Sequence, residues 1–234
     1  GVFRLGGVLV GTYAFTVLGN VLGARWDHAA LRTQDIDLAA DSVLGVAVPA
    51  DLQDDVPSTL ERLEMGFLPV PPLNSKAPST SFRTRGGLLR LDLLTVVKRA
   101  NRTEPVFLPQ LKASAMPLPF MDYLLEEPIR AAVVDRGGVL VNVPSPARFA
   151  LHKLLVMGER SAAFATKAEK DFSQSAQMLT LMVEDRPGDL QLAWEALRGR
   201  AGASKRITAG LASLDARAPD VSRAVHELIR HSAP

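Results

Sequence analysis

Cysteine is absent from the 234-residue chain, which removes disulfides and thiolate-based zinc sites together. The same absence suits a cytosolic protein, so cytoplasmic residence is the expectation. Long hydrophobic runs are missing too. The apolar stretch from Val8 to Phe15 is short and broken by Gly11, too short to span a bilayer, so no membrane partner is expected. No charged n-region followed by an apolar h-region opens the chain, and no secretory signal is read there. Charge is nearly balanced: a formal net of +2 compels no nucleic-acid or membrane surface. Basic residues interleaved with aromatics, the mark of a nucleic-acid groove, form no stripe. Three sequence signatures are lacking as well. Without G-x-x-x-x-G-K-S/T there is no P-loop, without G-x-S-x-G no serine-hydrolase elbow, and no G-x-G-x-x-G follows a strand for dinucleotide binding.

What is there begins with an ordinary globular composition, 47% apolar and 22% charged, long enough for one large domain or two modest ones around a real core. The chain opens on Gly1 rather than Met, inside a strand-like run, as expected of a piece of a longer protein. GVFRLGGVLV reads as β-rich, and GTYAFTVLGNVLG follows with apolar residues at helical spacing and Thr12 as its cap. A polar stretch with Trp26, Asp27 and His28 leads to a strand around Ile36. PSTLERLEMGF sets Ser58 three residues before Glu61, a capping box opening a short helix. Residues 69–80 are rich in Pro, Ser and Asn and read as a loop. TSFRT and LLRLDLLT flank Arg85-Gly86-Gly87 as a hairpin, and IRAAVVDRGGVLVNVP reads as a second one turning at Gly137-Gly138. Two RGG triplets could mark RNA-binding repeats, but each stands singly between β runs, so turns are the better reading. After Pro144-Ser145-Pro146 the residues favour helix, with breaks near Pro187-Gly188, Gly199 to Gly202 and Pro219. The expected architecture is α+β: a mixed sheet with flanking helices over residues 1–145, then an all-helical section over 146–234.

Chemistry concentrates in RTQDIDLA, residues 32–39. Side chains at i and i+2 of a strand share a face, so Asp35 and Asp37 present two carboxylates roughly 7 Å apart along the backbone. Hard divalent cations such as Mg2+ want oxygen ligands of this kind. A third acid is at hand in LLRLDLLT, where Asp92 interrupts a leucine run that would not tolerate it unpaired. The bland alternative keeps Asp35 or Asp37 as a turn cap and pairs Asp92 with Arg90. In LVGTYAF a strand ends in Gly11-Thr12 and opens into a helix, a place where free N–H groups and a dipole end accept phosphate. The alternative there is a tight strand–helix turn. Trp26 is expected to pack on the sheet rather than stack on a base, and neither His28 nor His152 has a second His or Cys at ligand spacing.

Together LVGTYAF, RTQDIDLA and LLRLDLLT resemble the active-site core of the polymerase β-like nucleotidyltransferase superfamily, over most of residues 1–175. In that superfamily a Gly-led turn precedes a strand with two acids flanking one apolar residue, and a third acid follows on a later strand. Small bacterial nucleotidyltransferase-fold proteins are the nearest branch, and toxin-type nucleotidyltransferases are similar. The resemblance implies that Gly11 and Thr12 receive the nucleotide phosphates, that Asp35, Asp37 and Asp92 are catalytic metal ligands, and that two Mg2+ ions act with an NTP. It further implies nucleotide contacts for Arg32, Thr33 and Lys153, with Lys170 and Asp171 of KAEKDFSQ near the site. As surface readings, Arg32 is a solvated charge, Lys153 a snorkelling side chain, and Lys170 and Asp171 helix-surface charges. Val10 stands where many members have the first Gly of the turn, and the Gly11-to-Asp35 spacing is longer than in minimal members. The implied activity moves a nucleoside monophosphate from an NTP to a hydroxyl acceptor, RNA, protein or small molecule, releasing pyrophosphate. The rival is a weakly active or inactive binding protein of the same fold, engaging nucleotide without turnover or acting as half of a toxin–antitoxin pair.

Overall fold

The computed structural model describes residues 1–31, 33–41, 55–97, 104–135, 137–157 and 165–230. It divides into two compact units, one of residues 1–25 and 31–144, the other of 26–30 and 145–234.

In the first unit, strand content follows the apolar alternation. The strands are β1 (Val8–Val10), β2 (Asp35–Ala39), β3 (Phe67–Pro69), β4 (Ser81–Thr84), β5 (Arg90–Val96), β6 (Val106–Leu108) and β7 (Ala113–Leu118). They form one mixed sheet in which β1, β2, β5, β4 and β3 lie side by side. β2 and β5 run parallel, while β1–β2, β4–β5 and β3–β4 are antiparallel. Beyond β4's reach, β5 pairs in parallel with β7, which carries β6. Separately, β8 (Ile129–Asp135) and β9 (Gly137–Val143) form a two-stranded ribbon. Helix α1 (Gly11–Leu22) follows β1, α2 (His28–Leu31) precedes β2, and α3 (Val56–Arg62) and α4 (Met121–Leu124) follow later.

Alternation along β2 and β5 sorts the sheet's two faces. Ile36, Leu38, Leu91 and Leu93 pack with Phe82 and with Val56 and Leu60 of α3. On the other face Val8, Val10, Ala39, Leu94 and Val96 pack with Met121 and Leu124 of α4. Asp35, Asp37, Arg90 and Asp92 occupy the i−2 positions of that second face, so its apolar patch gives way to charge towards the start of both strands.

Several local expectations are corrected. GVFRLGG opens with a 3-10 turn over Val2–Leu5, closed by Gly6 in the left-handed region, and extended backbone starts at Val8. Helix α1 begins at Gly11 with Val10 as its N-cap, so Thr12 lies inside the first turn, buried, and is not the N-cap residue. Helix α3 is capped by Asp55, whose carboxylate accepts from the Ser58 N–H at 2.8 Å. Its better cap lies three residues upstream of Ser58, where Pro57 also fits the first helical turn. The first hairpin turns at Arg85-Gly86-Gly87, with Gly87 at φ +69. In the second, Gly137 and Gly138 belong to β9, opposite Asp135 and Val134, and Arg136 lies outside the described residues.

The second unit is helical: α5 (Pro146–Met157), α6 (Ala165–Asp185), α7 (Pro187–Arg198), α8 (Ala203–Arg217) and α9 (Pro219–Arg230). Prolines open α5, α7 and α9 at the first helical position, where a missing N–H costs nothing. Residues 146–155 of α5 are buried without a break, as befits a central helix covered on all sides. Trp26 belongs to this unit and not to the sheet, and the neighbouring Asp27 N–H donates to Gln177 of α6 at 2.8 Å. No helix among the described residues is long and apolar enough to cross a membrane.

Gly210 of α8 lets that helix approach α5, since an added Cβ would lie 2.6 Å from the Leu154 carbonyl oxygen. Gly210→Ala should therefore destabilise the protein by about 1–3 kcal/mol despite alanine's better helix propensity. Urea denaturation followed by circular dichroism measures it, and an unchanged or raised midpoint would contradict this packing.

Candidate active site

Register places the acids. Asp37 of β2 lies directly opposite Asp92 of β5, and Asp35 lies opposite Arg90. Cross-strand partners share a face, so all three carboxylates point to the same side of the sheet as Arg90. Asp35 and Asp37 are half-buried. On the other side of Asp37 comes Val10, the last residue of β1, so the turn into α1 lies next to this carboxylate.

Gly11 makes that proximity tolerable. Its φ is +65, and a Cβ built there would lie 2.0 Å from Asp37 Oδ2. A side chain at this position would meet both a left-handed backbone penalty and the carboxylate. The space that glycine leaves open is thus filled by Asp37 at the N-terminal end of a helix whose N-cap residue, Val10, supplies no side-chain cap. A helix N-terminus favours negative charge, so the placement suits the acid electrostatically.

Asp92 is engaged from two sides. Arg90 Nε donates to its Oδ1 at 2.8 Å, and the Ser81 hydroxyl of β4 donates to the same oxygen. Arg90 Nη2 reaches the Ser81 oxygen at 3.1 Å and closes the triangle. The bland alternative for Asp92, an ion pair with Arg90, is therefore present together with the shared face. Among the described residues no three His, Cys, Asp or Glu side chains are gathered as a metal-binding group. The donor set still fits Mg2+, which is commonly held by one or two carboxylates completed by substrate phosphate and water. Asp35 and Asp37 offer hard oxygens on one strand, and the missing side chain at Gly11 lets the Asp37 carboxylate lie against the turn into α1.

Thr33 is spent locally. Its hydroxyl accepts from the Asp35 N–H at 3.1 Å and donates to the Asp35 carbonyl at 3.3 Å. Arg32 lies outside the described residues. Lys153 and Lys170 belong to the helical unit, where Lys170 is half-buried on α6. Lys153 of α5 forms an ion pair with Asp171 at 2.7 Å, with 11% and 3% of the two side chains exposed. Its ammonium also stands 5.3 Å from the centre of the Phe149 ring. Asp171 is thus a buried partner of Lys153, not a helix-surface charge.

Ser81 is the participant that sequence reasoning missed. The signal was available in the hairpin: a turn at Arg85-Gly86-Gly87 pairs Arg83 with Arg90, which sets Ser81 opposite Asp92.

Two substitutions test these arrangements. Gly11→Ala should lower stability by about 1–3 kcal/mol, since the backbone strain and the clash with Asp37 combine; a thermal melt reads this, and an unshifted midpoint contradicts the close approach. Lys153→Ala should cost on the order of 3–5 kcal/mol by stranding a buried carboxylate, whereas Lys153→Met with Asp171→Leu should recover most of that loss. Denaturant titration of both variants checks it, and equal losses would contradict a buried pair.

A family profile described as nucleotidyltransferase matches residues 1–198. No match was found among curated proteins or among solved structures. The profile spans the whole sheet unit, including the Gly11 turn and the three acids, and runs through α7. The chain belongs to the nucleotidyltransferase family.

Proposed function

We propose that the protein transfers a nucleoside monophosphate from an NTP to a hydroxyl acceptor, in a Mg2+-dependent reaction that releases pyrophosphate. The single observation that supports this most is the shared face of Asp35, Asp37 and Asp92, set beside the Gly11 turn, in a chain of this family. In this reading the phosphates lie along the first turn of α1 at Gly11 and Thr12, where the helix N-terminus favours anions. Asp35 and Asp37 hold Mg2+, which when bound neutralises the triphosphate and the departing pyrophosphate. Asp92 would help hold Mg2+ on the acceptor side, and a cation there would lower the proton affinity of the hydroxyl, whose oxygen bonds to the α-phosphorus. The bond from that phosphorus to the bridging oxygen breaks, pyrophosphate leaves, and the hydroxyl proton passes to solvent. The rate gain comes from positioning and charge, with no covalent protein intermediate.

Thr33 contributes in this reading by fixing the start of β2. Nucleotide roles for Arg32, Lys153 and Lys170 rest on the family resemblance alone. RNA, protein and small molecules all present suitable hydroxyls, and the acceptor's class is left to experiment. A second reading, a nucleotide-binding protein of this fold without turnover and acting within a toxin–antitoxin pair, is favoured by one observation: Arg90 already occupies Asp92.

Labelled NTPs, Mg2+ and a panel of RNA and protein acceptors separate the two. The parent should transfer label, and Asp35→Ala or Asp37→Ala should reduce transfer about a hundredfold or more. Unimpaired transfer by those variants would overturn the mechanism. Nucleotide binding by calorimetry with no transfer to any acceptor would favour the second reading.

A further inference from the structure

We propose that Arg90 is an internal counter-cation of the acid face and competes with a divalent ion for Asp92. The inference rests on the reading of Asp35, Asp37 and Asp92 as a divalent-ion site. Three carboxylates on adjacent positions of paired strands repel one another unless a positive charge intervenes. Arg90 supplies that charge from within the sheet. It is two residues before Asp92 on β5, directly opposite Asp35 on β2, and so lies among all three acids. Its guanidinium is anchored at two points, Asp92 Oδ1 through Nε and Ser81 Oγ through Nη2, at 2.8 and 3.1 Å. Ser81 in turn donates to the same Asp92 oxygen. An oxygen that accepts from an arginine and a hydroxyl cannot also serve a metal ion at bonding distance without giving up the guanidinium. A divalent ion bonded through that oxygen therefore requires Arg90 to swing away, and one bonded through the other carboxylate oxygen still meets the repulsion of the guanidinium charge.

The energy scale permits that exchange. The Arg90 side chain is 45% exposed and that of Asp92 20%, so the pair is a partly solvated one. Such pairs are weak, and a divalent ion offers the acids twice the charge. The exposure of Arg90 lets its guanidinium leave towards solvent. Arginine's planar fork suits either partner, carboxylate or phosphate. The consequence is a site whose ion affinity is set lower than its three acids alone would give.

Mn2+ titration of the protein, with free ion counted by electron paramagnetic resonance, tests this in the absence of any reaction. Arg90→Ala should bind Mn2+ about threefold to tenfold more tightly than the parent, equivalent to roughly 0.7–1.4 kcal/mol. Arg90→Lys, which keeps the charge but cannot bridge Asp92 and Ser81 together, should fall between them. Arg83→Ala removes an equal charge one strand away, on the residue paired with Arg90, and should change affinity less than twofold. Circular dichroism confirms that each variant is folded, and if Arg90→Ala is not, Arg90→Lys against Arg83→Ala carries the comparison. Equal Mn2+ affinity in the parent and the Arg90 variants, with binding abolished by Asp37→Ala, overturns the inference while leaving the site reading intact. Equal tightening by Arg83→Ala also overturns it, since the effect would then be general charge. If neither the parent nor the Arg90 variants take up Mn2+, or Asp37→Ala binds as well as the parent, the site reading fails and the inference with it.

Discussion

Parallel pairing of β2 with β5 sets residue 37 opposite residue 92, and the two-residue repeat of a strand distributes everything else. Leucines at 38, 91 and 93 turn to the buried face and anchor the sheet on α3, which fixes where the intervening residues must go. Those residues are the acids and Arg90. Hydrophobic burial on one side therefore positions the charged row on the other, with no separate device required. The Gly11 turn completes the arrangement, because β1 runs antiparallel to β2 and delivers the start of α1 beside Asp37.

Two ion pairs show how surroundings decide what a charge does. Arg90–Asp92 is partly solvated, and such a pair contributes about 1 kcal/mol or less, so its partners can be exchanged. Lys153–Asp171 is closed off from water, and either charge stranded alone there would cost several times more. In the proposed mechanism the first pair changes partners. The second ties α5 to α6 and holds the Lys153 ammonium in the core of the helical unit, where a lost activity on its replacement would first report lost packing.

The carboxylates were legible because strand periodicity needs no tertiary information: DID and LRLDLL declare which side chains share a face. Proline positions were equally legible, and α5, α7 and α9 open on them. What escaped was pairing across distance. Ser81 meets Asp92 through hairpin register, and the Lys153–Asp171 bond joins residues eighteen apart in sequence on two different helices. Caps were misread for a local reason, since Asp55 and Ser58 are both competent N-cap residues and the helix begins at the earlier one. Sequence leads one to expect Trp26 against the sheet, whereas its segment clusters with the helices.

The Thr33 hydroxyl grips both the N–H and the carbonyl of Asp35. A strand of period two has a dangerous neighbour state, the same strand slid by one residue, in which Ile36 and Leu38 would face water and the acids would face the leucine core. The Thr33 grip shapes the chain at the first residue of β2 and travels with it, so the cost of burying the acids and wetting the leucines is what forbids the slide. One buried row of leucines thereby decides which side of the sheet is wet.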